Sequence, residues 1–454
     1  MEIVLVGAGR VGHAIAVRLA EEGHNITVVD NDEERVEYAT SYSDVMAMSG
    51  NGSDYTVLIN AGINKADLII AVTSDDAVNM LCCLTAKKLG VKKAVARVRT
   101  MEYFRQMVFL KDELGLSLVF NPEKETASEI SRILRFPSAA KVDSFAKGRA
   151  EMVEFTIAEG SPLANLPLHM LSKKLGAHRL LICAVERDDE VTIPKGDYIL
   201  RADDIVHVVA SPGQISSAFK VWGIFKRSVK NVIILGGSRS ALYLGTELVA
   251  AGIRVKIIEL DESHCKAIKE IIPKADVIYG DGTNPQLLLE EGLETADAFV
   301  TLTGNDQDNI ITSMFANRRG VGTVITKLND EQFRGMVDLH EIGSVVSPKN
   351  AAAEAVSNYV RAIANSLAIS DILALHKFSN GDAEALEFSI MHSADHIDVP
   401  LKLLKIRQDA MIGAIIRGDD CIIPGGEDKV MLGDTVIAVT TRSGIQKFDD
   451  LFED

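Results

Sequence analysis

The 454-residue sequence predicts an α/β protein: two tandem parallel-sheet lobes, each followed by a helix and a small α+β lobe. Three observations predict it. A repeat runs through the whole chain, short β runs alternate with amphipathic helical stretches inside each copy, and the last part of each copy changes to period-two patterning. In the repeat, Ile3-Val4-Leu5-Val6-Gly7-Ala8-Gly9-Arg10 returns as Val232-Ile233-Ile234-Leu235-Gly236-Gly237-Ser238-Arg239, an offset of 229 from Gly7 to Gly236. Val28-Val29-Asp30 returns as Ile257-Ile258-Glu259, the run Asp67 to Thr73 as Asp297 to Thr303, and Asn79 as Asn309. Farther on, Ile193-Pro194-Lys195-Gly196 is answered by Ile423-Pro424-Gly425-Gly426, and Asp203-Asp204-Ile205-Val206 by Gly433-Asp434-Thr435-Val436.

Taken in order, the Val- and Ile-rich runs predict strands at 2–6, 25–29, 45–48, 68–72 and 94–97. Helices near 11–22, 33–40, 54–60 and 76–89 separate them, the spacing of parallel strands joined by helical crossovers. A sixth strand fits near 117–120. Asn121-Pro122 opens a longer helical pattern through Glu125 to Arg135, and Ser347-Pro348 opens its counterpart, Ala351 to Ser366; proline suits the first turn of a helix. Residues 140–220 and 371–454 alternate with period two, as in Phe155-Thr156-Ile157 and Val436-Ile437-Ala438-Val439, which predicts small antiparallel lobes. Lys226 to Lys230, after the single Trp222, is the expected linker between copies. The expected division is therefore a parallel-sheet lobe at 1–121, a helix with small lobe at 122–225, a second parallel-sheet lobe at 229–347 and its helix with small lobe at 348–454.

Composition narrows the function classes. With 47% hydrophobic and 25% charged residues the chain belongs with globular proteins. A formal net charge of −16 favours neither nucleic acid nor an anionic lipid surface, so membrane association is expected only through a protein partner and without direct lipid insertion. Cys82, Cys83, Cys183, Cys265 and Cys421 form no C-x-x-C pair, which fits a reducing compartment, the cytoplasm by default. The N-terminus has no basic leader, and no run approaches the ~18 apolar residues of a membrane span.

Gly7-x-Gly9-x-x-Gly12 directly follows a strand and opens a helix, the setting in which glycines allow a tight turn, close approach of a pyrophosphate and close helix packing. Each copy is in this sense Rossmann-like. Asp30, at the end of the second strand, is placed to accept hydrogen bonds from a ribose diol and to repel a 2′-phosphate, which favours NAD-type ligands or adenine nucleotides over NADP. A tight strand-to-helix turn without a ligand is the bland alternative. Copy two keeps Gly236 and the acid Glu259, but Ser238 stands where the middle glycine would be, so its site is expected to be degenerate or suited to a different ligand. Arg10 and Arg239 recur at one motif position, and Arg97 and Lys327 at the end of the fifth strand, where cations suit phosphate. Catalytic candidates are poor. His392-x-x-x-His396 has a metal-compatible spacing in what reads as a polar loop, Cys82 and Cys83 lie in an apolar helix, and no catalytic motif proposes a nucleophile, acid or hydride acceptor. No catalytic and no metal residue is assigned.

These residues resemble the TrkA family of Trk-type potassium uptake systems, whose chains hold two RCK (KTN) units. The resemblance rests on Gly7 to Asp30, the turn Gly50-Asn51-Gly52-Ser53 with its echo Gly280-Asp281-Gly282-Thr283, Ala71-Val72-Thr73-Ser74-Asp75-Asp76 through Asn79, Ala96-Arg97-Val98-Arg99, and Leu432-Gly433-Asp434. It implies a regulator and not an enzyme. In such a protein a homotetrameric ring of eight RCK units docks beneath a TrkH-type membrane channel and gates potassium flow according to bound NAD(H) or ATP/ADP, which would make this chain peripheral on the inner face of the cell membrane. By resemblance Gly7, Gly9, Arg10, Val11 and Gly12 hold phosphates, Asp30 the ribose, Ser53 and Thr73 the adenosine side, and Arg97 the far phosphate end, with Glu259 as the second copy's ribose acid. The chain departs from the family at Ser238 and at Ala202, where the first small lobe would have the glycine seen at Gly433. Glu123 sits where some relatives place a cation-linked carboxylate, although a helix N-terminus favours an acid in any case. Two rival classes remain: an NAD-dependent oxidoreductase, and an RCK-type sensor regulating a different transporter.

Overall fold

The structure is a computed structural model that describes the chain apart from residues 43, 136–140, 176–179, 189, 224–228, 331, 338, 368–371, 380–381, 392–395, 443, 446 and 454. Most of the expected linker therefore lies outside the described residues. The first copy runs β1 (Glu2–Val6), α1 (Arg10–Glu21), β2 (Asn25–Asp30), α2 (Glu33–Tyr42), β3 (Met46–Ser49), α3 (Tyr55–Asn60), β4 (Leu68–Ala71), α4 (Asp76–Lys88), β5 (Lys93–Arg97), α5 (Met101–Leu110), β6 (Leu118–Phe120) and α6 (Pro122–Arg135). Its small lobe follows with β7 (Lys141–Phe145), β8 (Ala150–Thr156), α7 (Leu168–Leu175), β9 (Leu181–Arg187), β10 (Glu190–Thr192), β11 (Ile205–Ala210) and α8 (Pro212–Val221). The second copy repeats the plan: β12 (Asn231–Leu235), α9 (Arg239–Ala250), β13 (Arg254–Glu259), α10 (Glu262–Ile271), β14 (Asp276–Tyr279), α11 (Pro285–Glu290), β15 (Ala298–Thr301), α12 (Asp306–Arg318), β16 (Thr323–Lys327), α13 (Gln332–Met336), α14 (Leu339–Ile342), β17 (Ser344–Val346) and α15 (Pro348–Leu367). It ends with β18 (Ile372–Phe378), β19 (Ala383–Ser389), β20 (Ala410–Arg417), β21 (Asp420–Ile422) and β22 (Thr435–Thr440).

Both Rossmann-like sheets are six-stranded and parallel, in the orders β3-β2-β1-β4-β5-β6 and β14-β13-β12-β15-β16-β17. The central strand β4 is buried at every position, as a strand covered by helices on both faces must be. The order reverses between β1 and β4, which opens a crevice at the strands' carboxyl ends. Short polar side chains start the surrounding helices: Asp54 caps α3, Asp75 caps α4, Asn284 caps α11 and Asn305 caps α12. Helix α5 has no counterpart in the sequence reading, because none of its residues is fully buried and its apolar side chains are split between the core and the surface. Phe104 and Met107 pack on the first core, while Tyr103, Val108 and Phe109 are exposed.

The two parallel-sheet lobes belong to one compact unit, residues 1–134 with 229–357, and the two small lobes to another, residues 135–228 with 358–454. In the first unit the long helices are exchanged. Helix α6 belongs by sequence to the first copy, yet its Ala127, Ile130 and Leu134 are buried in one core with Val232, Ala241, Leu244 and Leu248 of the second lobe. Helix α15 returns the exchange: Glu354 pairs with Arg18 at 3.0 Å and Ser357 donates to Glu22 at 2.5 Å, both on the first lobe.

In the second unit each small lobe is a five-stranded antiparallel sheet, and one apolar core joins the two through Phe145, Met152, Val209, Phe378, Ala414 and Ile437. The repeated Asp204 and Asp434 are buried, and each receives a forked Arg pair, from Arg187 at 2.7 and 2.7 Å and from Arg417 at 2.9 and 2.8 Å. The partner of Gly433 (φ 88°) is Asp203 (φ 67°), not Ala202: each turns left-handed and donates its N–H to the preceding strand's end, Asp203 to Ile157 and Gly433 to Ile390. An aspartate tolerates that conformation where most side chains do not, so the first small lobe keeps the turn without glycine.

Replacing Ile130, which is fully buried, by Ala should lower the stability of the parallel-sheet unit by about 2–4 kcal/mol, read as a fall in the urea midpoint at unchanged slope. An unchanged midpoint would contradict the exchanged packing of α6.

Candidate functional site

The loop between β1 and α1 is built by glycine geometry. Gly7 has φ 105°, and a Cβ there would come within 2.9 Å of the Thr73 backbone. Gly12 lies on the first turn of α1, where a Cβ would fall 1.8 Å from the Gly7 carbonyl oxygen. Gly9, the N-cap of α1, has nothing within 4 Å of its would-be Cβ. The outer glycines thus serve packing, and the middle one leaves open space at a helix N-terminus, where unpaired N–H groups and the dipole favour an anion.

Asp30 is 7% exposed; its carboxylate accepts the N–H of Ala8 at 2.6 Å and of Asp32 at 3.0 Å. These bonds fix the side chain beside the loop and leave further lone pairs for a diol. Across the switch point, the buried Asn79 organises the β4–α4 turn. Its Oδ1 accepts the N–H of Thr73 at 2.7 Å and the Thr73 hydroxyl at 2.8 Å, and its Nδ2 donates to the carbonyls of Thr73 and Arg97 at 3.2 and 3.1 Å. Asn309 repeats the arrangement with Thr303 and the Lys327 carbonyl. The Arg97 guanidinium donates to the Val72 carbonyl at 3.4 Å, its Nε has no partner, and burial pushes its pKa down. Arg99 Nε pairs with Glu123 at 3.1 Å.

These groups line a cavity of about 1780 Å³ between the two parallel-sheet lobes. From the first lobe it takes Gly7, Gly9, Arg10, Val11, Asp30, Thr73 and Arg97, together with Asn31, Arg35, Tyr38 and the Gly50–Gly52 turn. The second lobe contributes a narrower set that includes Ser238, Arg239, Lys327 and Ser347. Gly12, Ser53 and Glu259 are not among the lining residues. Gly12 packs behind the loop, and the Ser53 hydroxyl donates to Asn51 at 2.8 Å within the turn. Glu259 accepts the Gly237 N–H at 2.5 Å, and Ile268 presses on the same glycine, its Cδ1 2.4 Å from a would-be Cβ. The corresponding position in the first lobe is Ala39, one side chain smaller. The donor set of the first lobe fits a dinucleotide or adenine nucleotide: an open helix N-terminus for phosphate, an acid for ribose, a roomy flank, and a half-buried cation whose Nε has no partner among the described residues.

The sequence reading noted Asn79 in the repeat and Ser347 at a helix start but assigned neither to the site, and it did not single out Arg35 or Tyr38. Of the two histidines with metal-compatible spacing, His392 lies outside the described residues, and His396 binds Asp449 at 2.8 Å and stacks on Phe452. Among the described residues no cluster of metal-ligating side chains occurs. Cys82 and Cys83 are fully buried, and burial pushes the Cys82 thiol up to about 12, as expected of packing residues. No helix among the described residues is long and apolar enough to cross a membrane.

Two family models match, the TrkA-N domain at residues 3–122 and 232–348 and the TrkA-C domain at 152–222 and 385–453. The chain is 31% identical to the Trk system potassium uptake protein TrkA of Halomonas elongata, over 100% of this chain and 99% of that protein. It is also 31% identical to the Trk system potassium uptake protein TrkA homolog 1 of Methanosarcina mazei, over the full length of both. Among solved structures it is similar to the GsuK RCK domain, with a TM-score of 0.60 at 17% identity over 96% of this chain and 92% of that one. The GsuK channel bound to NAD gives a TM-score of 0.62 at 18% identity over 97% of this chain and 76% of that one. At such identities the likeness establishes the fold, tandem RCK units.

Substitution at two of the glycines should separate packing from binding. Gly12→Ala should cost at least about 2 kcal/mol, because the clash is with backbone, whereas Gly9→Ala should keep stability within about 0.5 kcal/mol and weaken binding of a phosphate-bearing ligand. Thermal melts with and without NADH read both; equal melting losses for the two variants would contradict the division of roles.

Proposed function

The chain belongs to the TrkA family of Trk system potassium uptake proteins, and from that premise we propose that it is the cytoplasmic nucleotide-sensing regulatory subunit of a Trk-type potassium uptake channel. In this reading it is not an enzyme, binds NAD(H) or ATP/ADP on the first parallel-sheet lobe, and docks as a homotetramer on a TrkH-type membrane subunit at the inner face of the cell membrane. The observation that carries the reading is the cavity, whose nucleoside-compatible flank lies on one lobe while cations line it from both.

The proposed site follows from the chemistry of each group. Asp30 accepts the ribose hydroxyls, and the open N-terminus of α1 at Gly9, with Arg10 and Val11, receives the phosphates. Gly7 and Gly12 shape that loop, and Ser53 shapes the neighbouring turn through Asn51. Thr73 holds the β4–α4 edge beside the ligand, and Arg97 meets its far phosphate end. Glu259 ties the second loop through the Gly237 N–H, as Asp30 ties the first through that of Ala8. The segments 1–121, 122–225, 229–347 and 348–454 are the proposed functional divisions.

A gate needs a ligand that distinguishes two states. A ligand held by Asp30 and reaching Arg97 bears on the separation of the two lobes, because cations from both face the same space. In sequence, the exchanged helices α6 and α15 each precede a small lobe. The rival oxidoreductase requires an acid or base set against a second substrate, and the repeat gives it no purpose. A sensor of another transporter differs only in its partner, which co-purification with a potassium channel subunit decides.

NADH and ATP should each raise the melting temperature of the parent chain without being consumed. NADPH should do so less, because Asp30 opposes a 2′-phosphate. Asp30→Ala should abolish most of the shift. Shifts that survive Asp30→Ala unchanged, or turnover of either nucleotide at enzymatic rates, would overturn the reading.

A further inference from the structure

A titratable side chain is buried where the two small lobes pair. Strand register gives its counterpart: Val206 lies opposite Phe155 and Val436 opposite Phe388, so His207 of β11 occupies the position of Ile437 of β22. Ile437 is fully buried in the apolar core that joins the two lobes, and His207 is 1% exposed. The His207 ring lies on Phe378 of the second small lobe with centroids 4.4 Å apart, and its Nε2 stands 3.5 Å from the Ser379 hydroxyl of the same lobe. An imidazole therefore fills the place that isoleucine fills in the other copy, against a surface contributed by the opposite lobe.

Such packing accepts a neutral imidazole and opposes an imidazolium, which would leave water for a site walled by Phe378. The ionisable groups that face the interface among the described residues decide which form prevails. On β8 the Glu154 carboxylate is 3.9 Å from Nδ1, beyond hydrogen-bond length, and 21% exposed, so water screens its attraction. On β9 Ala184 lies opposite His207, and the Cys183 thiol, which donates to the His207 carbonyl at 3.2 Å, is pushed by burial up to about 12 and stays uncharged. Across the interface His376 of β18 meets Asp143 of β7 at 3.4 Å, and Glu387 of β19 accepts the Ala146 N–H at 2.9 Å. The charge on β20, Arg417, is held by Asp434, and the exposed Arg149 pairs with Asp419 at 3.7 Å. Desolvation is complete at His207 while the nearest carboxylate keeps contact with water, so burial outweighs attraction.

We propose that the pairing of the two small lobes is proton-sensitive through His207: a fall in pH protonates the imidazole, and the imidazolium loosens its seat on Phe378 and Ser379. The sign follows from the folded chain holding the neutral form. Stability from this contact is whole above the ordinary imidazole pKa of about 6.5, which the unfolded chain retains, and is lost as the pH falls below it. The duplicate position does not titrate, because it carries Ile437, so the sensitivity enters from the first small lobe alone. Nucleotide binding plays no part in this, and the inference stands apart from the function proposed above.

The single tryptophan of the chain supplies a local probe. Trp222 is buried in the core of the first small lobe beside Phe155 and Phe219, so its fluorescence reports the unfolding of that lobe and not of the parallel-sheet unit. The test is a set of urea midpoints of the full chain read from this signal between about pH 8 and about pH 5, a window that brackets imidazole titration. The parent should lose stability toward acid, this one proton raising the unfolding constant by up to about tenfold per pH unit. His207→Ile installs the residue of the other copy and should remove that part of the loss. The same part should disappear when His207→Ile is made in a His376→Asn chain, which separates it from the Asp143 pair. Glu154→Gln keeps His207 in place and should steepen the loss, since the nearest attraction for an imidazolium is gone. The proposal is overturned if the parent and His207→Ile share one pH dependence, if His207 makes the chain more stable in acid than isoleucine does, or if Glu154→Gln flattens the loss.

Discussion

The exchange of the two long helices is the constraint on which the cavity depends. Helix α6 leaves the first parallel-sheet lobe and buries Ala127, Ile130 and Leu134 in the core of the second, and α15 returns to Arg18 and Glu22 of the first. Each lobe therefore completes its surface with a helix from the other copy. Because apolar burial and not a flexible tether joins them, the carboxyl ends of both sheets are held toward one space. A single Rossmann-like lobe could supply a glycine loop and an acid. It could not bring Arg97 and Lys327, the ends of two fifth strands, to one cavity.

Duplication gave both lobes the same frame, and divergence then used the frame differently. The Asn79 and Asn309 networks hold the same turns to the same strand ends, within a few tenths of an ångström in their hydrogen bonds. What changed is volume and donors. Ala39 of the first lobe corresponds to Ile268, which presses on the second loop, Gly9 to Ser238, and Arg97 to Lys327. The first lobe lines the cavity with Asp30, Asn31, Arg35 and Tyr38, the second with Ser238, Arg239 and Lys327. The equivalence of Asp204 and Asp434 in the small lobes shows the opposite outcome: a buried ion pair with fixed fork geometry is preserved because either partner alone would be an uncompensated charge.

Much of this was legible before any coordinates. Hydrophobic period, glycine spacing and the repeat located every strand of both parallel sheets that the first copy's reading named, the glycine loop and Asp30, since these are local or regular signals. Helix α5 was not legible, because its apolar residues are divided between core and surface and give no single face. The left-handed turn of the first small lobe was misread by one residue at Ala202, since aspartate at 203 replaces glycine there and glycine was the signal sought. Tyr38 carries no motif, and Ser347-Pro348 marked only a helix start.

By itself the sequence determined the duplicated α/β frame and the chemistry of the first loop. Both follow from spacing along one chain, which fixes what a strand and the helix after it can do. Only the tertiary structure decided which helix completes which lobe, and that Ser238, Ser347 and Lys327 line one cavity with the first loop. Those relations join residues far apart in sequence, and packing volume and unfulfilled hydrogen-bonding capacity exist only once the chain has closed on itself.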